Sequence, residues 1–405
     1  LNDQAPPGSH PLAPGLVSTR IDRSAAESAH SARRTGRIAE IEVLRAFAVL
    51  LVVVQHVPQN LVFWHSRLLD DVTGPFQGWV GVDLFFAISG FVIARSLLPT
   101  LLRCADTDQF VIETARFWLR RAWRLFPSAW LWLAIPILLC LCFNRSGVFL
   151  TLRPNADALV AGMLDVANFR FARTFGSSAY GVTFPYWSLS LEEQFYLVLP
   201  VAAFLFRRWI ALPLLLLLLL QFEPVTTPLQ MTLRTGAVCA GVLLALWEGS
   251  RSYRLMAPRV LARHRAARGA AVGVPLLFMT MLGSDQTVIV SFRLGLIALL
   301  SAFLVWAASY GRGFVWREGW SRRRLLWVAE RSYAIYLIHI PVYLSAHEIW
   351  FRLHRSGDPH GWVACAYVAS ALLALFLLAE ANDRLFANRL RRYGASVAAR
   401  FGQQS

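Results

Sequence analysis

The sequence contains no lysine, so all 40 of its cationic residues are arginines, against 24 Asp and Glu and a formal net charge of +16. Charge of either sign is scarce, at 16% of residues, where a soluble domain carries about 25%. That shortage, with 56% hydrophobic residues and a mean hydropathy of +0.48, excludes an ordinary soluble domain. Cysteine is sparse too. Cys104, Cys140, Cys142, Cys239 and Cys365 are odd in number and sit mostly in apolar runs, which argues against a disulfide framework. No P-loop, no G-x-G-x-x-G turn and no Cys/His spacing for a metal is present, so no metal or permanently bound cofactor is expected. No internal repeat supports an inverted-repeat transporter. In a soluble chain the arginine excess would point to nucleic acid. In so apolar a chain it points instead to anionic lipid, membrane orientation and a phosphorylated ligand.

What the sequence has is apolar length. Residues 1–37 are polar and lack the apolar core of a signal peptide, so they read as a disordered cytoplasmic tail. Ten stretches then approach the roughly 20 residues a membrane span needs: 38–57, 79–98, 125–143, 187–206, 209–221, 231–248, 269–283, 289–310, 325–347 and 360–380. The fifth and seventh are short, and a weaker patch over 159–169 reads as peripheral or re-entrant. With the N-terminus inside, the cytoplasmic segments hold 28 arginines and the outer ones 7, as the positive-inside rule requires. The expected fold is an all-α polytopic transmembrane bundle of about ten spans with both termini cytoplasmic. Residues 381–405 form a basic cytoplasmic tail.

Ionisable groups inside spans are functional candidates by default, because lipid makes them costly. Arg45 and His56 are eleven residues apart in the first span, which puts them on one helix face about 16 Å apart along the axis. Asp83, the pair Glu192 and Glu193, and His339 lie in the outer halves of three further spans. Arg120, Arg121, Arg124 and Arg331 stand towards the inner face. An imidazole beside a carboxylate is the arrangement that activates a hydroxyl, and clustered arginines suit phosphate. Acyl-CoA fits this layout, with its phosphates held inside and its pantetheine arm reaching up the bundle. A proton- or anion-coupled transporter would use the same residue types. Ser89 reads as helix packing.

Five motifs in order resemble those of the acyltransferase 3 family, bacterial integral-membrane O-acyltransferases that include O-antigen acetylases. They are Leu44-Arg45 with His56 after ten further residues; Gly81-Val-Asp83-Leu-Phe-Phe-Ala-Ile-Ser-Gly-Phe91; Arg121-Ala-Trp-Arg124-Leu-Phe-Pro127; Tyr186-Trp-Ser-Leu-Ser-Leu-Glu-Glu-Gln-Phe-Tyr196; and Ser332-Tyr-Ala-Ile-Tyr-Leu-Ile-His339. The resemblance runs from about Ile38 to Glu380 and implies a transmembrane acyltransferase domain over 38–380. It implies transfer of an acyl group, commonly acetyl, from cytoplasmic acyl-CoA to a hydroxyl of a carbohydrate or glycolipid, in the bacterial inner membrane. A transporter serving a separate transferase is the alternative. Glu380 lacks the proline that usually follows two residues on, and a C-terminal SGNH domain is not expected in the 25 residues after it. His56 is the expected base, with Glu192 first and Asp83 second as the carboxylate fixing its tautomer. Arg45, Arg121, Arg124, Arg331, His339 and Glu193 are the expected substrate-binding residues. Protein partners are not specified.

Overall fold

The computed structural model describes residues 36–176, 180–354 and 357–401; the tail expected over 1–37 lies almost wholly outside them. The described residues are helical and contain no strand. Helices of eight or more residues are α1 Ala39–Gln55, α2 Gly81–Leu101, α3 Thr107–Cys142, α4 Leu152–Met163 and α5 Ala167–Thr174. They continue as α6 Tyr186–Phe206, α7 Ala211–Leu219, α8 Gly236–Glu248, α9 Arg265–Leu282 and α10 Arg293–Ser309. The last are α11 Trp320–Glu330, α12 Ser332–His354, α13 Gly361–Ala381 and α14 Asn388–Arg400. The ten apolar stretches lie mostly on helix, but 231–248 is interrupted at 233–235, 289–310 begins in a turn and 325–347 is divided at Arg331 between α11 and α12. By length and composition, five segments are able to cross a membrane: Gly78–Leu101, Thr107–Cys142, Tyr186–Trp209, Pro228–Glu248 and Gly361–Arg400. The apolar helices Ala211–Phe222 and Arg293–Ser309 are shorter.

The tightest pairing, α2 on α8, depends on glycine. A Cβ on Gly90 would collide with the Val238 carbonyl, and one on Gly241 with the Ala87 carbonyl. Two facing glycines let the backbones approach where lipid gives no hydrophobic drive for helices to associate. Around this pair, α1, α6, α10 and α12 enclose a core that includes Val52, Phe86, Phe91, Ile297 and Ile338.

The ends of α1 are fixed by polar groups. The Glu40 carboxylate, in its first turn, accepts the backbone amides of Gly313, Val315 and Trp316 at 3.1, 2.6 and 3.2 Å, binding the loop after α10 to α1. At the other end Pro58 halts the helix, and His56 is its C-cap (φ −94°, ψ 1°). Helix α3, with 36 residues, is about 54 Å long, well beyond the ~30 Å of a hydrocarbon core. Its arginine-bearing first half extends the span expected from residue 125 by 18 residues, back to Thr107.

Candidate active site

Helices α1, α2, α3, α6 and α12 surround a cavity of about 560 Å³. Its wall carries Arg45, Arg121 and Arg124, with Glu192 from α6 and Ser89 from α2. Arg124 is open to the cavity space. Arg45 is paired with Glu42 at 2.6 Å, so its charge is partly offset. Arg121 lies over the Tyr196 ring, 4.7 Å from its centre. The Glu192 carboxylate accepts from both the Ser89 and Tyr196 hydroxyls, and Tyr196 also reaches Ser89 at 3.3 Å. Ser89 therefore faces the cavity, while its neighbour Gly90 makes the helix contact that the sequence assigned to Ser89.

Tyr336 and Ser188 line the cavity, whereas His56 and His339 are not among its lining residues. The two hydroxyl oxygens are 2.6 Å apart, and the Tyr336 hydroxyl donates to the Pro185 carbonyl at 3.0 Å. The main chain of Tyr336 carries the hydrogen bonding on to the histidines. His339 Nδ1 donates to the Tyr336 carbonyl at 2.6 Å, because a carbonyl only accepts. Neutral His339 therefore presents an unprotonated Nε2, which lies 3.0 Å from His56 Nδ1. His56 must donate there, and its own Nε2 is left as a base. Phe184 packs edge-on against the His56 ring, with centroids 5.2 Å apart.

The geometry brings some of the expected site residues together and separates others. The partner of His56 is His339 and not a carboxylate: Glu192 is held by Ser89 and Tyr196, and Asp83 faces Arg234 at 3.5 Å. His339 is fully buried, contacts His56 and is not among the residues that line the cavity. Arg331 is bound by Glu380 and by Glu330 (3.2 Å) and stacks on Trp327, outside the cavity wall. Glu193 is buried and outside the cavity wall, with one carboxylate oxygen lacking a hydrogen-bond partner, and burial pushes the nearby Asp165 carboxyl up. The cavity thus gathers Arg45, Arg121, Arg124 and Glu192, while His56 is not part of its wall.

Two residues gain a place that the sequence did not assign them. Arg234, in the break before α8, is buried between the Trp79 and Trp187 rings, 4.4 and 4.8 Å from their centres, and is ion-paired with Asp83. Its signal was a lone arginine in an apolar stretch. Tyr336 lies within the motif Ser332–His339, but nothing in that motif marks it as a partner of Ser188 and His339. Among the described residues no three His, Cys, Asp or Glu side chains gather as a metal site.

A family model for an acyltransferase domain matches residues 38–379. The chain belongs to the acyltransferase 3 family. This acyltransferase is 26% identical over 384 residues to peptidoglycan O-acetyltransferase OatA of Listeria monocytogenes, covering 88% of the chain and 56% of that protein. It is 26% identical over 390 residues to the putative peptidoglycan O-acetyltransferase YrhL of Bacillus subtilis, covering 90% and 56%. To O-acetyltransferase OatA of Staphylococcus aureus it is 23% identical over 378 residues, covering 87% and 57%. The acyltransferase thus spans a little over half the length of these relatives. No solved structure matches it.

Proposed function

We propose that this acyltransferase moves an acetyl group from cytoplasmic acyl-CoA to a hydroxyl of a cell-surface carbohydrate, with peptidoglycan the first acceptor to test. Support for the donor comes from the arginine-walled cavity, one of whose lining residues, Tyr336, accepts a hydrogen bond from His339 of the His56–His339 pair. Support for the acceptor class comes from the names of the relatives. In this reading Arg121 and Arg124 take phosphates, and Ser89, Glu192 and Tyr196 meet the amides of the pantetheine arm. The chain is a multi-pass protein of the bacterial inner membrane, with ten spans and cytoplasmic termini.

The chemistry follows from the tautomers. His56 Nε2 takes the acceptor hydroxyl's proton as that oxygen attacks the thioester carbonyl carbon. The C–S bond breaks, and the leaving thiolate receives the proton back from the imidazolium. His339 stabilises the transient charge through the 3.0 Å bond.

The test uses the full chain in lipid nanodiscs with acetyl-CoA and soluble peptidoglycan fragments. Release of CoA in step with ester formation on the acceptor is expected. Movement of acetyl or glycolipid across the membrane without esterification would replace the enzyme with a transporter.

A further inference from the structure

The C-terminal helix α14 is built onto the cavity. It continues α13 through a π-helical turn, Asn382–Ala387, and Asn382 accepts from the Trp132 indole of α3 at 3.0 Å. Further along, Gly394 lies so close to Trp123 that a Cβ there would collide with it. Tyr393 packs edge-on against the same indole, with centroids 4.9 Å apart. Arg116 Nε donates to the Phe401 carbonyl at 2.9 Å. These contacts fix α14 along the first half of α3 and bring Arg391 to the cavity wall beside Arg121 and Arg124.

None of these three arginines has a carboxylate within ion-pair distance among the described residues; Arg391 donates only to the neutral Asn388 side chain. Gathering three guanidinium groups without an anion is unfavourable, and a polyanionic ligand would reverse the sign. Resting on the reading of the cavity as the donor site, we propose that Arg391, carried by α14, holds the 3′-phosphate of CoA. The order of groups along the donor supports this. With the pantetheine arm entering first and the diphosphate at Arg121 and Arg124, the phosphomonoester trails to Arg391, whose exposed side chain lines the same cavity. The subsite would then select a free CoA thioester over the same arm attached to a carrier protein, which lacks that phosphate.

The experiment measures equilibrium binding of acetyl-CoA and acetyl-dephospho-CoA to the full chain in nanodiscs. The wild type should prefer acetyl-CoA. Arg391→Gln should weaken acetyl-CoA binding roughly tenfold, the loss of one exposed charged hydrogen bond, and leave acetyl-dephospho-CoA unchanged. Arg391→Lys should recover part of the preference. Gly394→Leu, which forces α14 off Trp123 while keeping Arg391, should show the same selective loss. Equal weakening of both ligands by Arg391→Gln, or a wild type without preference, overturns the subsite and leaves the donor reading standing. A wild type that binds neither ligand overturns both.

Discussion

His339 Nε2 and His56 Nδ1 face each other at 3.0 Å, and the Tyr336 carbonyl fixes which of them carries the proton. One histidine is thereby oriented by another, and only His56 keeps a free basic nitrogen. Replacing His56 with Ala or Gln should lower turnover by about 10²–10⁴-fold, the usual worth of base catalysis. His339→Ala should lower kcat while leaving the donor KM unchanged, since it touches no substrate. The double variant should be no worse than His56→Ala alone. Losses that multiply in steady-state assays would show that the two act separately.

Arg121→Ala and Arg124→Ala should each raise the acetyl-CoA KM with little change in kcat. Each loses a charged hydrogen bond worth roughly 1.5–3 kcal/mol. Titration of initial rates against donor concentration decides this, and an unchanged KM in both well-folded variants rejects the assignment.

Asp83 and Arg234 are each about 4% exposed in their side chains and pair with one another. Asp83→Asn strands a buried guanidinium, which should cost about 3–5 kcal/mol. Asp83→Leu combined with Arg234→Met removes both charges and should melt at a higher temperature than either single variant. Thermal unfolding in detergent measures the order of the three.

The glycine contact between α2 and α8 predicts a packing effect without a chemical one. Gly241→Ala places a methyl group against the Ala87 carbonyl, and such overpacking costs about 1–3 kcal/mol. Melting temperature should fall while the donor KM of the surviving folded protein stays at the wild-type value.

Single cysteines introduced into an otherwise cysteine-free chain test the topology. Positions within 60–75, 145–176 and 350–354 should react with an impermeant thiol reagent from outside, and those within 255–265 only after the membrane is opened. One reversed segment rejects the ten-span arrangement.

Helix positions were largely legible because apolar runs of near-span length have few alternatives, but the breaks at 233–235 and at Arg331 were not, since the apolar run continues through each. The inner arginines were legible as well: Arg45, Arg121 and Arg124 share one cavity. Partner choice was not. His56 belongs to α1's cap and His339 to α12, and helical periodicity within one span says nothing about which neighbour its face meets. Arg331 misled because its depth resembled that of Arg45, while its counter-charges, Glu330 and Glu380, lie one residue and 49 residues away in sequence. Arg391 was hidden for the opposite reason. In a run as basic as 381–405 charge alone resembles a solvated tail, and only contacts such as Gly394 against Trp123 reveal a docked helix.

Tyr336 serves the two histidines through its main chain and the cavity wall through its side chain. Its hydroxyl is bonded to Ser188 and Pro185, while its carbonyl belongs to the backbone of α12 and accepts from His339. Rotation about the Cα–Cβ bond displaces the ring without moving that carbonyl. The wall of the cavity and the tautomer of the histidine pair are therefore set by separate parts of one residue, so replacing the side chain leaves the carbonyl that orients His339 in place.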